Sequence, residues 1–145
     1  MQDEIRTEIT IKAPKERVFS AIADPAQIIT WFPDTIEGNL ETGERPLFVF
    51  NGHGKSQTYI EAMQPYSYFA FRWIPGGSDF VGDVLTVPNT LVEFRIEESD
   101  GVSVVTMTES GFSKLPEEMA KASFEQNSGG WTFMLDRLEK KFKEL

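Results

Sequence analysis

His53 is the single histidine of a chain that contains no cysteine. Thiolate nucleophiles, disulfides and cysteine-built zinc sites are therefore excluded together. Flanked by Gly52 and Gly54 in "NGHGKS", His53 reads as an exposed residue at a hairpin tip. To serve as a general base it would need that tip to fold over the mouth of a site. "GHGKS" has the look of a phosphate loop, but the Walker pattern needs glycine where Val49 stands and a helix afterwards, whereas "QTYIEAM" alternates like a strand. The adjacent acids Glu97-Glu98 and Glu117-Glu118 fall in a turn and at a helix start, where solvation and the helix dipole account for them. No serine occupies a G-x-S-x-G elbow. The sequence assigns no catalytic residue, no metal site and no cofactor.

What remains is aromatic: twelve Phe, three Trp and three Tyr. Phe48 and Phe50 share one strand face, Phe69, Phe71 and Trp73 share another, and Tyr59 lies on the strand between. With Trp31, Phe94, and Trp131 and Leu135 from the last helix, these residues are the candidate lining of a ligand cavity. The same residues would also fill a solid core. Polar groups able to orient a ligand are the Tyr59 and Tyr68 hydroxyls, Trp31, Arg72, Arg95 and Thr106. Arg72 alternates with Phe71 and Trp73, and Arg95 with Phe94 and Ile96, so both guanidiniums should point outward. An interior this poor in ionisable groups suits binding better than acid–base catalysis.

The elements that must position these side chains follow from periodicity. "EIRTEITIKAP" alternates Ile9 and Ile11 with polar residues and predicts a first strand. Pro14 suits the first turn of a helix carrying Val18, Phe19 and Ile22. Asp24-Pro25 repeats the start signal for a second short helix ending near Trp31. "PLFVFNGHGKSQTYIEAM" predicts two strands around the "NGHG" tip, "QPYSY" a turn, and "YFAFRWI" a further strand. "PGGSDFVGD" is a loop; "TLVEFRIEE" and "VSVVTMTES" are strands joined by the turn "SDG". A helix then runs from near Pro116 to the end, with Phe124, Trp131, Leu138 and Leu145 seven residues apart and Leu135 and Phe142 between. Glu117 and Glu118 in its first turn and Lys140, Lys141 and Lys143 in its last suit the helix dipole. The pattern is one α+β domain over residues 1–145, a mostly antiparallel sheet with helices on one side.

The formal charge of -9 argues against nucleic-acid binding. The polar start "MQDEIRTEITIKAP" is no signal peptide, and no apolar run approaches the ~20 residues of a membrane span. A cytoplasmic monomer or homodimer without membrane insertion is expected.

Three segments, "IKAPKERVFSAIADPAQIITWFP", "NTLVEFRIEESDGVSVVTMTESGF" and "GGWTFMLDRLEKKF", resemble the START-like (birch-pollen-allergen-like) superfamily, in the branch named after the activator of the heat-shock-protein-90 ATPase. The resemblance implies a helix-grip fold: a strongly curved antiparallel sheet wrapped around a long C-terminal helix, with an elongated cavity between them. Superfamily members hold sterols, lipids, plant hormones or polyketides, and some are cyclases. The expected function is therefore a carrier or sensor of a small, largely apolar ligand, a lipid or aromatic metabolite. The alternative is a cavity enzyme of the polyketide cyclase/dehydratase type. That reading requires an inward polar cluster, which the pattern does not reveal; an inward-facing acid with a strongly raised pKa near Tyr59 or Trp131 would revive it. A co-chaperone role fits less well, since the family's co-chaperones carry a further amino-terminal domain and this chain has no room for one.

Gly129 and Gly130 lie side by side within the last helix, where each costs about 1 kcal/mol relative to alanine. Either they let the helix approach the sheet or leave space beside Trp131 for a ligand, or Asn127 or Ser128 caps a separate final helix there. The seven-residue spacing from Phe124 to Trp131 favours one continuous helix, with Gly130→Ala expected to clash with the sheet.

Overall fold

The computed structural model describes residues 3–75 and 80–143. A first strand, β1 (Glu4–Ile11), leads into α1 (Lys15–Ala23) and α2 (Pro25–Ile28). Pro14 stands just before α1, and Asp24 caps α2 by accepting a hydrogen bond from the Ala26 amide at 2.9 Å, with Pro25 at the first helical position. The regular turns of α2 end at Ile28, and Trp31 lies in the turn that follows. The strands β2 (Thr35–Glu37), β3 (Leu47–Phe50), β4 (Gly54–Gln64), β5 (Tyr68–Trp73), β6 (Thr90–Ser99) and β7 (Val102–Ser110) come next, and α3 (Glu117–Lys143) closes the described chain. The expected loop after β5 falls partly on residues 76–79, and Leu145 of the predicted stripe lies beyond residue 143; both are outside the described residues.

All pairings are antiparallel, in the order β1-β7-β6-β5-β4-β3-β2. The first strand, β1, pairs along its length with the last, β7, and forms one edge of the sheet. A bulge in β4 between Ile60 and Ala62 bends that strand and helps curve the sheet. The β6–β7 turn places Asp100 and Gly101 at φ 51° and 80°, a left-handed pair that suits the twist of a tight hairpin.

The curved face buries Ile60, Phe69, Phe71, Val92, Phe94, Val105 and Met107 against Trp131, Leu135 and Leu138 of α3 and against α1 and α2. Alternation explains the strand contributions, and the seven-residue stripe explains the helix. The short strand β2 has one half-buried residue, Ile36, and so carried no readable period.

α3 is a single helix of 27 residues that passes through Gly129 and Gly130 unbroken. The capping alternative does not hold: the Ser128 hydroxyl bonds back to the Phe124 carbonyl at 2.7 Å, and the Asn127 amide donates to a buried carboxylate. The close-approach expectation is also corrected. Both glycines are exposed, and a Cβ on either would meet nothing within 4 Å.

Candidate functional site

The interior holds an acid that the sequence reading passed over. On β7 the inward positions run Val105, Met107, Glu109, and Glu109 is 0 % exposed. Its Oε2 accepts from the Trp73 indole N–H at 2.9 Å and from the Thr90 hydroxyl at 2.5 Å. Its Oε1 accepts from the Trp131 indole N–H at 2.8 Å and from the Asn127 amide at 2.9 Å. Burying a carboxylate costs several kcal/mol unless its lone pairs are matched. Here four neutral groups supply the donors, the arrangement suited to a side chain that only accepts. Four elements meet at this residue: β5, β6, β7 and α3.

Beside this cluster, between the middle of α3 and the β3–β4 hairpin tip, opens a cleft of about 220 Å³. Phe32, Trp73 and Trp131 wall it in aromatic carbon, with Phe50 and Met134 at the sides. His53 and Ser56 from the hairpin, and Gln126 and Asn127 from the helix, supply polar groups. Gly130 lines the cleft beside Trp131 and contributes only backbone, whereas Gly129 does not border it.

Of the predicted cavity residues, Phe50, Trp73 and Trp131 line this cleft. Trp31, Phe48, Phe69, Phe71, Phe94 and Leu135 lie behind it in a close-packed core. Ring centroids there are 5.3 Å apart for Phe48–Phe71, 6.0 Å for Trp31–Phe94 and 6.2 Å for Phe69–Phe94. The Trp31 indole donates to the Ala21 carbonyl at 2.8 Å, which ties it to α1 instead of to a ligand. Most of the expected cavity is thus filled by its own aromatic side chains. Phe32, which no sequence criterion singled out, is the residue they share: its ring is 5.0 Å from Trp131, 5.5 Å from Phe50 and 5.8 Å from Trp73.

Tyr59 is not a cavity residue. The register sets Thr58 opposite Trp73 and Ile60 opposite Phe71 on the inner face, which turns Tyr59 to the outer face opposite Arg72. The Arg45 guanidinium lies 5.2 Å over its ring. Tyr68 is also outside, its hydroxyl donating to Glu93 while the Arg95 guanidinium lies over its ring. Burial, reinforced by the Glu93 hydrogen bond, pushes the Tyr68 phenol up to about 12. Arg72 points outward as expected, pairing with Glu61 at 3.2 Å and with Asn89 at 3.1 Å. Arg95 is exposed and pairs with Glu93 at 2.8 Å, and Thr106 reaches Glu8 at 3.4 Å. His53 is exposed at the tip, as expected, and also borders the cleft mouth.

Among the described residues, no group of three or more His, Cys, Asp or Glu side chains is placed to hold a metal ion. No described helix is long and apolar enough to cross a membrane.

A curved antiparallel sheet gripping one long helix, with an aromatic cleft at the helix's midpoint, defines a helix-grip protein. The family described as activator of Hsp90 ATPase homolog 1-like protein matches residues 12–143, and the chain belongs to it. No curated protein matches the sequence. Among solved structures, DynU16, a protein in the dynemicin biosynthetic locus, is 21% identical with a TM-score of 0.77. The match covers 99% of this chain and 48% of DynU16, so the chain spans about half of that protein's length. MLL2253 from Mesorhizobium loti is 19% identical over 94% of each chain, with a TM-score of 0.77. Aha1 from Colwellia psychrerythraea, a dimer in solution, is 20% identical over 97% of this chain and 96% of its own, with a TM-score of 0.74. At these identities the likeness is one of fold.

Proposed function

We propose that the protein binds a small, largely apolar ligand in the cleft beside Trp131, as a carrier or sensor. The observation that carries this reading is the wall of Phe32, Trp73 and Trp131, open on one side and backed by the Glu109 hydrogen bonds. A binding site benefits from side chains whose rotamers are fixed before the ligand arrives, because less ordering then opposes association. Glu109 fixes both indoles in this way. At about 220 Å³ the cleft suits a one- or two-ring body, since an apolar cavity of ~150 Å³ accommodates benzene. Location within the cytoplasm and a homodimeric state belong to the same reading, the latter favoured by the Colwellia Aha1 dimer.

Glu109 supplies the inward acid beside Trp131 that the enzyme alternative called for, but its position does not favour that alternative. It is 0 % exposed and both oxygens already accept two hydrogen bonds, so a substrate in the cleft meets the indoles and the Asn127 amide before the carboxylate. Its role in this reading is positioning.

The test is thermal denaturation with a panel of small aromatic metabolites and single-chain lipids. A ligand at a hundred times its dissociation constant should add roughly 2.7 kcal/mol of stability. Trp131→Leu should abolish the shift. A shift that survives this substitution would place binding elsewhere, and no shift with any compound class would end the reading.

A further inference from the structure

We infer that the preferred occupant of the cleft is an organic cation, an ammonium group carried on a small aromatic or alkyl body. This rests on the binding reading above and specifies its ligand class. Both indole N–H groups that could have faced a ligand donate to Glu109 instead, at 2.9 and 2.8 Å. Trp73 and Trp131 therefore present ring carbon to the cleft and no donor. An indole whose N–H is engaged by a carboxylate has its ring electron density raised, which strengthens its attraction for a cation.

The Asn127 amide is held in the same way. Its Nδ2 donates to Glu109 at 2.9 Å, while among the described residues its Oδ1 accepts no hydrogen bond and is not fully buried. Asn127 lines the cleft, so it offers an acceptor suited to an ammonium N–H.

Charge points in the same direction. The partners of Glu109 are all neutral, so no cation offsets the carboxyl group that stands directly behind Trp73, Trp131 and Asn127 in a medium that screens poorly. No Lys or Arg lines the cleft among the described residues, and His53 is the single ionisable side chain at its rim. The chain's net charge of -9 adds a long-range attraction for cations and repels anions. A neutral ligand of the same shape would gain the apolar contacts and none of these terms. An anionic one would meet an uncancelled field of its own sign.

The experiment compares three molecules of one shape, phenethylammonium, 2-phenylethanol and 3-phenylpropionate, by calorimetric titration of the full chain at pH 8. The ammonium should bind at least about tenfold tighter than the alcohol, and the carboxylate weakest. Asn127→Ala should narrow the gap between ammonium and alcohol by weakening the ammonium alone. If the alcohol or the carboxylate binds as tightly as the ammonium, the cation preference is overturned while the binding reading stands. If Asn127→Ala weakens all three equally, the acceptor assigned to Asn127 is wrong and the preference loses its geometric basis. If none of the three binds, the preference for an ammonium on a small aromatic body is overturned, and the binding reading is decided by the wider compound panel.

Discussion

Each oxygen of Glu109 serves one indole N–H, a group that donates and cannot accept. That pairing fixes what a substitution must do. In Glu109→Gln one oxygen becomes an NH₂ group, which faces either Trp73 or Trp131. The Thr90 hydroxyl can turn and the Asn127 amide can flip, but the indole cannot, so one buried N–H is orphaned whichever way the glutamine lies. The expected loss is about 1–3 kcal/mol in a denaturant titration. A glutamine variant as stable as the parent would mean that the carboxylate is not what orders the two indoles. Tyr68 gives a second prediction on the opposite face of the sheet. Its phenol, held up to about 12 in the folded chain by burial and then by Glu93, has an ordinary value of 10.0 when unfolded. Between these two values the folded state binds the proton that the unfolded state has lost, so stability falls as pH rises. The contribution is complete below about pH 10 and gone above about 12. Alkaline denaturation curves of the parent and Tyr68→Phe should therefore converge across that window.

At the level of elements, α3 carries the most instructive outcome. Its apolar stripe, its acidic first turn and its basic last turn were all legible, because each depends on spacing along a single helix. The glycine pair was legible as an anomaly but not as a geometry, since what faces residues 129 and 130 is set by chain far away in sequence. With open space around both, the ordinary helix propensity governs. Gly129→Ala, which does not border the cleft, should raise stability by about 1 kcal/mol and leave ligand binding unchanged, as thermal denaturation and titration can check. A destabilised Gly129→Ala would mean that the helix bends there in solution. The strands divide in a similar way. β5, β6 and β7 announced themselves by alternation, whereas β2, with three residues and one half-buried side chain, had no period to show. Tyr59 was misplaced because its face depends on the register of β4 against β5, and an aromatic residue on a strand carries no mark of its side. Glu109 did carry such a mark, standing in phase with Val105 and Met107. Its four donors lie 18 to 36 residues away along the chain, so nothing local distinguished a buried acid from one at a solvated strand end.

The whole molecule was legible in class and family, since both rest on element order and on segments spread over most of the chain. The shape of the cavity was not. Twelve Phe among 145 residues provide enough ring volume to close the space under the helix, and packing decides where closure stops. It stops at one end, where the hairpin tip, Phe32 and the middle of α3 leave the cleft. The buried acid beside that cleft also bears on motion. Detaching α3 from Asn127 onward would leave Glu109 with the Trp73 and Thr90 donors alone and half of its lone pairs bare in the core. Partial opening of the helix is thereby penalised relative to opening the helix and its three strands together. In hydrogen–deuterium exchange, the amides of β5, β6, β7 and the segment from Asn127 to Leu138 should exchange as one cooperative unit in the parent. In Glu109→Gln the helix segment should exchange ahead of the strands.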